Sequence, residues 1–365
     1  MVALCILALA CGCGHFHPAP RDMVYVSAYG DIYLHDRIAA VSNHVAEVYN
    51  GEPLQVIERD GRFLKVKTAK GVIGWIEQSA VIDGSMYGSF QKLASGNLHD
   101  PVVATATLDD ALYMHLTPGR STQHFYLLPA NTKVELLMRA SVAKTPSPGF
   151  APAAPLAPAS PANAQPVPGL PQPQPAVMED WWLARDAEGR TGWLLGSRLD
   201  VIVPGDIEQY AEDQRIVGAY VLTKVADQES SFPNHEAPEY LTVLGPYQSG
   251  LPYDFDEVRI FTWSVRHHRY ETAFRLHPIE GFLPVHTGFE STPEGRLPAF
   301  TFMIASGGNV TTDPATGTTR PVNPRTIRYE MLDTIVKRIG PDLGPIPLLH
   351  EEKKPRDEAK QRRKR

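Results

Sequence analysis

Beyond its thirteenth residue the chain has no cysteine; all three, Cys5, Cys11 and Cys13, sit at the amino end. The rest of the sequence can therefore form no disulfide, no Cys-ligated metal centre and no cysteine nucleophile. Long hydrophobic runs are also missing. The most apolar stretch, residues 1–10, is far shorter than the roughly 20 residues a membrane helix needs, and it has the length of an export-signal core. Positive charge is not in excess: 35 Lys and Arg stand against 41 Asp and Glu, a net charge of −6. That balance lacks the basic face on which nucleic-acid recognition rests, so no DNA or RNA partner is expected. Gly-x-Ser-x-Gly elbows and zinc-protease helix spacings are absent as well. No catalytic residue, cofactor or metal site is predicted.

Proline is what the chain has in abundance. Its 33 prolines are nearly double the usual share of about 5%, and eleven of them fall within residues 145–177 among Ala, Ser, Gly and Gln. Such a segment can hold neither a ladder nor a helix and has little to bury, so it is expected to be an unpacked insert.

At the amino end, Leu7-Ala8-Leu9-Ala10-Cys11 resembles the lipobox of bacterial lipoproteins, in which small or apolar residues precede the acylated cysteine. The resemblance implies a lipid anchor on Cys11, with residues 1–22 as leader and anchor. Gly12 after the cysteine implies outer-membrane retention, facing the periplasm.

Internal repetition is the strongest signal. Gly71-Val72-Ile73-Gly74-Trp75-Ile76-Glu77-Gln78-Ser79-Ala80-Val81 matches Gly189-Arg190-Thr191-Gly192-Trp193-Leu194-Leu195-Gly196-Ser197-Arg198-Leu199. Upstream, Asp31-Ile32-Tyr33-Leu34 matches Ala111-Leu112-Tyr113-Met114. Between these anchors each copy carries short alternating runs, Leu54-Gln55-Val56-Ile57 or Lys133-Val134-Glu135-Leu136, and an aromatic strand start, Phe63-Leu64 or Trp181-Trp182. Each unit reads as about five short strands separated by Gly and Asp turns, the pattern of a small barrel. The order of features resembles the bacterial SH3-like family. The fold class expected is mainly β: two small SH3-like β-barrels at residues 23–84 and 103–202, the second interrupted by the insert, followed by a C-terminal antiparallel β-domain.

That last domain is placed at 216–345, after a connector at 203–215 whose Asp206 is expected to cap a short helix. Runs such as Val258-Arg259-Ile260-Phe261-Thr262-Trp263-Ser264-Val265 and Tyr270-Glu271-Thr272-Ala273-Phe274 carry the β-branched and aromatic enrichment of strands. Ile335-Val336-Lys337-Arg338-Ile339 reads as a hairpin partner, with a helix as the competing assignment. Residues 346–365 form a charged basic tail, read as solvated.

Two clusters that could hold a metal are assigned bland roles. His267, His268 and Glu271 are expected in an exposed turn, because adjacent histidines on an extended chain point apart and zinc needs convergent ligands. Asp254, Asp256 and Glu257 lack the turn glycine and spacing of a calcium loop and read as a solvated acidic loop. Aromatic residues are the better lead. Asp180-Trp181-Trp182-Leu183 resembles the paired tryptophans of peptide-binding SH3 domains, so Tyr113, Trp181 and Trp182 are predicted to form a ligand groove, with Trp181 and Tyr113 outward and Trp182 and Trp193 inward. Phe63 and Leu64 stand where the first copy would need its tryptophans, which argues against a groove there. The function expected is a non-enzymatic envelope lipoprotein that binds peptidoglycan or an envelope protein. Alternatives are an assembly lipoprotein using its C-terminal domain, or a cell-wall hydrolase with SH3-like targeting modules.

Overall fold

The computed structural model describes residues 22–27, 32–145, 176–293, 295–306 and 309–349. The leader with Cys11, most of the proline-rich insert and most of the basic tail lie outside the described residues. The chain divides into two units, 1–88 and 89–365.

The first unit is one antiparallel sheet of β1 (Met23–Val26), β2 (Ile32–His35), β3 (His44–Val48), β4 (Pro53–Asp60), β5 (Phe63–Lys67), β6 (Ile73–Glu77) and β7 (Val81–Asp83), in the order β3-β2-β6-β5-β4-β1-β7. Alternation sets its inner face: Val24, Leu34, Val48, Leu54, Leu64 and Ile76 come from six different strands yet form a single buried cluster. A flat sheet cannot bring its first and last strands to one core, so the sheet wraps into a small barrel. Gly74 shows how tightly. A Cβ there would lie 2.7 Å from Leu34 Cβ and 2.8 Å from Val45 Cγ2, so the Gly of the Gly-Trp motif lets β6 cross close over β2 and β3.

A helix that the sequence reading does not predict, α1 (Gly84–Gly96), follows. Asp83 starts it by accepting the Met86 N–H at 2.8 Å, the work of a capping carboxylate. Its Phe90 packs against Phe125 and Tyr126 at 5.7 and 5.8 Å between ring centres.

The second unit opens with β8 (Ala104–Leu108), β9 (Leu112–His115), β10 (His124–Leu128), β11 (Lys133–Ala143), β12 (Met178–Arg185), β13 (Thr191–Leu195) and β14 (Leu199–Val201), ordered β10-β9-β13-β12-β11-β8-β14. This is the order of the first sheet with every strand advanced by seven. Gly192 repeats the close approach, a Cβ there lying 2.6 Å from Met114 Cβ.

Two four-stranded sheets complete the unit: β15 (Arg215–Ala226), β16 (Glu236–Gly245), β17 (Glu257–Ser264) and β18 (Arg269–Leu276), then β19 (Gly281–Thr292), β20 (Gly295–Ala305), β23 (Pro324–Leu332) and β24 (Ile335–Ile339), with the ribbon β21 (Val310–Thr312) and β22 (Thr319–Pro321) between. They stack face to face. Phe274 of β18 meets Phe300 of β20 at 6.4 Å and Tyr329 of β23 at 5.0 Å. Ile335–Ile339 is the hairpin strand, paired to β23 from Leu332↔Ile335 onward. The short helix α2 (Gly205–Glu208) has Pro204 at its cap and no side-chain cap bond, so Asp206 sits inside the first turn and does not cap it.

A buried charge cluster joins the second barrel to this sandwich. Arg139 of β11 lies 3.1 Å from Asp180 of β12 and 3.0 Å from Asp254, and donates to the Leu251 carbonyl at 2.8 Å. Asp254 also accepts the Leu283 N–H at 2.9 Å. The expected solvated acidic loop is thus an ion-paired joint, and Glu257, fully buried, is held by Arg259 and Arg275 at 2.6 and 2.9 Å. Burial of a charge demands such pairing.

Candidate ligand-binding groove

On β2 the period of two sends Leu34 into the first barrel's core and turns Tyr33 and His35 outward. β3 lies antiparallel beside it in the register Tyr33↔Glu47 and His35↔His44. On the other side His35 pairs Trp75 of β6, and Trp75 in turn pairs Lys65 of β5. Rings from three strands therefore share one outer face. Tyr33 stacks on His44 at 4.2 Å, His35 meets His44 edge-on at 5.1 Å, and His35 Nδ1 is 2.8 Å from Ser42 Oγ. The Lys65 ammonium stands 5.5 Å from the Trp75 ring centre and the Arg62 guanidinium 5.2 Å from that of Phe63, both within cation–π range.

The loop from β2 to β3 forms the far wall. Asp36 clasps Asn43 through the backbone N–H at 3.0 Å and the side-chain amide at 2.9 Å, which leaves Ile38, Ala39 and Ala40 along the opening. The result is a groove of about 660 Å³ lined by Tyr33, Phe63, Trp75 and these loop residues, with Arg37 and Arg62 as its cations and Glu77 as its anion. It is half-buried aromatic surface with a charged rim, the kind that holds an extended peptide or a sugar face.

Every ring position of this face recurs in the second barrel. Tyr113 meets His124 at 4.5 Å, His115 meets His124 at 5.4 Å, His115 Nδ1 is 2.9 Å from Thr122 Oγ1, and His115 pairs Trp193. The shared spacing is Tyr-x-His-x6-[Ser/Thr]-x-His, at 33, 35, 42 and 44 and again at 113, 115, 122 and 124. The upstream repeat anchors end one residue short of this pattern, at Leu34 and Met114, so both histidine pairs lie just beyond them.

The predicted groove residues do not assemble as expected. Trp181 and Trp182 point to opposite faces of β12, and both are buried, at 2% and 4% exposure, as is Trp193 at 3%. Trp182 takes the inward place of Leu64. Trp181, expected outward, lies in a cluster with Leu137, Ala140, Leu183 and Trp193, covered further by Leu93 of α1. Its indole N–H is buried without a hydrogen-bond partner. Only Tyr113 of the predicted trio is half-exposed. Burial, reinforced by His124, pushes His115 down to about 4.

The loop over this face is fastened. Arg120 makes a bidentate bridge to Glu179 at 2.7 and 2.9 Å; the corresponding positions in the first barrel are Ala40 and Gly61. The histidines of the β17–β18 turn do not converge: His267 faces Glu271 at 3.0 Å and His268 faces Asp227 at 3.0 Å. No group of three or more metal-binding side chains occurs among the described residues.

Comparison with known proteins gives one family. The model of the bacterial SH3 domain matches residues 39–82, which span β3 to β7 and half of the groove's rings. No curated protein matches the chain. Among solved structures, NlpC2 from Trichomonas vaginalis aligns over 87% of this chain and 96% of its own at 9% identity, with a TM-score of 0.16, too weak to relate the two folds. The first unit therefore contains a bacterial SH3 domain, and its open aromatic groove lies on that domain.

Proposed function

We propose that the chain is a non-enzymatic adaptor of the bacterial envelope whose first barrel grips peptidoglycan, through stem peptide or glycan, while its second barrel is a module of the same kind turned into a structural mount. The open groove at Tyr33, Phe63 and Trp75 carries this reading. Cell-wall binding is a common use of bacterial SH3 domains, and the mix of aromatic faces with Arg37, Arg62 and Glu77 suits a ligand with amide, carboxylate and hydroxyl groups. Support for the mount comes from the buried joint of Arg139 with Asp180 and Asp254, which fastens the second barrel to the sandwich. Acylation at Cys11 would hold the protein on the outer membrane facing the periplasm.

Co-sedimentation of the full chain with purified sacculi tests the reading. Trp75→Ala and Phe63→Ala should each lose at least about tenfold in retention, as expected for aromatic anchors at the centre of a site, while Tyr113→Ala leaves retention unchanged. Retention unaffected by both first-barrel substitutions would remove the groove from the function, and release of soluble muropeptides would replace binding by catalysis. Loss of membrane fractionation in Cys11→Ser, with Cys13 intact, tests the anchor.

A further inference from the structure

A second cavity lies where β11 of the second barrel passes the sandwich. One edge of β11 is held by β12 from Glu135 to Ala143. On the other edge β8 runs as far as the pair Leu136↔Ala104, and β22 takes over at Ala140↔Thr318. Residues 137–139 therefore have no strand beside them there, and Leu137 is the extra residue of a bulge, a device that re-aims side chains next to functional sites. The gap opens onto the outer face of β19 and β20. Phe300 meets Phe274 of β18, and Phe302 and Ile304 follow it inward at a period of two, so Met303 and its partner Phe282 lie on the side turned away from β18. The space encloses about 410 Å³.

Its walls are apolar: Leu137 and Met138 from β11, Phe282, Leu283 and Pro284 from β19, and Met303 from β20. The charged side chains at its base are already spent on each other. Arg139 donates to Asp254 at 3.0 Å and to the Leu251 carbonyl at 2.8 Å, and lies 3.1 Å from Asp180. Asp254 accepts the Leu283 N–H through its second oxygen at 2.9 Å. No free charge remains inside to hold a metal ion or a polar ligand. Phe282, 2% exposed, presents no open face on which an aromatic ring could stack. An extended peptide is blocked as well, because β8 and β22 close the gap within three residues. What fits is a flexible apolar chain that enters end-on, and the thioethers of Met138 and Met303 adapt to such a chain.

The rim is different. Arg320, exposed, and Asp100, half-buried, both line the cavity, and among the described residues neither side chain makes a hydrogen bond or an ion pair. We propose that this cavity binds a single-chain amphiphile, a linear alkyl chain under a zwitterionic head, with the chain between Met138 and Met303 and the head between Arg320 and Asp100. A purely anionic head would meet the Asp100 carboxylate and a purely cationic one the Arg320 guanidinium, whereas a zwitterion pairs with both. An apolar hollow at the junction of two modules, with a few polar groups to orient the ligand, is the usual form of a small-molecule site.

The test uses the full chain carrying Cys11→Ser, so that no acyl chain of its own competes, and n-decylphosphocholine below its micelle concentration. The readout is the methyl resonances of the methionines, assigned through Met138→Leu and Met303→Leu. A saturable shift confined to Met138 and Met303 is expected, with none from glycerophosphocholine, which has the head without the chain. The octyl analogue should bind about tenfold more weakly, since each buried CH₂ is worth roughly a factor of four. Arg320→Gln and Asp100→Asn, both at the rim, should each weaken binding several-fold and leave the melting temperature unchanged. Co-sedimentation with phosphatidylcholine vesicles separates the sources of the chain: retention names a bilayer lipid, and its absence a free amphiphile. Shifts spread over the other methionines, a response to glycerophosphocholine equal to that of the decyl probe, or affinity unchanged in both rim variants would overturn the proposal.

Discussion

The two barrels share strand order, register and a ring constellation, but they expose opposite amounts of the same face. In the first, β5 and β6 present Phe63, Lys65, Trp75 and Glu77, all half-buried or exposed. In the second, the equivalent positions are Trp181, Leu183, Trp193 and Leu195, the first three buried and Leu195 packed partly against them. Three changes convert one into the other: apolar residues replace the two charges, α1 supplies Leu93 as cover, and Arg120 with Glu179 fastens the loop that Ala40 and Gly61 leave open. An open aromatic face and a packed one thus differ by a few side chains on one scaffold and by the cover laid over it.

The largest test of that contrast exchanges nothing but a ring for a methyl at equivalent positions. Trp181→Ala should destabilise the second unit by about 3 to 5 kcal/mol, as a buried aromatic deletion does. Phe63→Ala should cost about 1 kcal/mol or less, because its ring is half solvated already, and should act on sacculus retention instead. Urea unfolding followed by amide signals of each unit reads both. Equal costs would mean that the first groove is core as well, and the contrast would fail.

Much of this fold is legible in the sequence, and the errors share one cause. The repetition of one unit follows from the Gly-x-x-Gly-Trp anchors, since Gly74 and Gly192 mark the same close crossing, and the sandwich strands follow from alternation. The burial of Trp181, expected outward, has a local clue. Trp181-Trp182-Leu183-Ala184 is four apolar residues in a row, which signals burial on both faces, whereas Phe63-Leu64-Lys65-Val66-Lys67 alternates and leaves one face to water. The cover itself is not local. Leu93 and the extended end of β11 reach Trp181 only in the folded chain, and α1 hides behind three glycines and three serines in its thirteen residues, a composition of weak helix propensity. The histidine pairs are legible in spacing alone.

His115 gives a test of intermediate size. Its folded value near 4 lies below the ordinary 6.5, so between those values the unfolded chain binds more protons than the folded one. Stability therefore falls as pH drops from about 6.5 toward 4. Glu239, raised in the folded state, drives the opposite slope: between about 4.5 and 7 the folded state holds the extra proton, and stability falls as pH rises. The informative quantity is hence the difference between wild type and His115→Gln at each pH. That difference should shift steadily in favour of the variant below pH 6.5; a constant offset would show that His115 ionises in the folded barrel as freely as in the unfolded chain.

The smallest effect on stability belongs to the clamp, and it reaches furthest into function. The Arg120 side chain is half exposed while Glu179 is largely covered, so the bridge should contribute about 1 kcal/mol or less, and Lys144 remains 4.0 Å from the same carboxylate to limit the loss in Arg120→Ala. The same substitution frees the loop between β9 and β10 from β12. Trp181 then gains access to solvent, and its indole N–H, unpartnered in the native barrel, becomes a donor for a ligand. Arg120→Ala combined with Glu179→Gly reproduces the residues of the first barrel at both positions. In this double variant, acrylamide quenching of tryptophan fluorescence should increase, and sacculus retention should survive in part when Trp75→Ala is added. If quenching stays at the wild-type level, the face is closed by Leu93 and its neighbours rather than by the clamp, and the second barrel is a mount that no single ion pair can reopen.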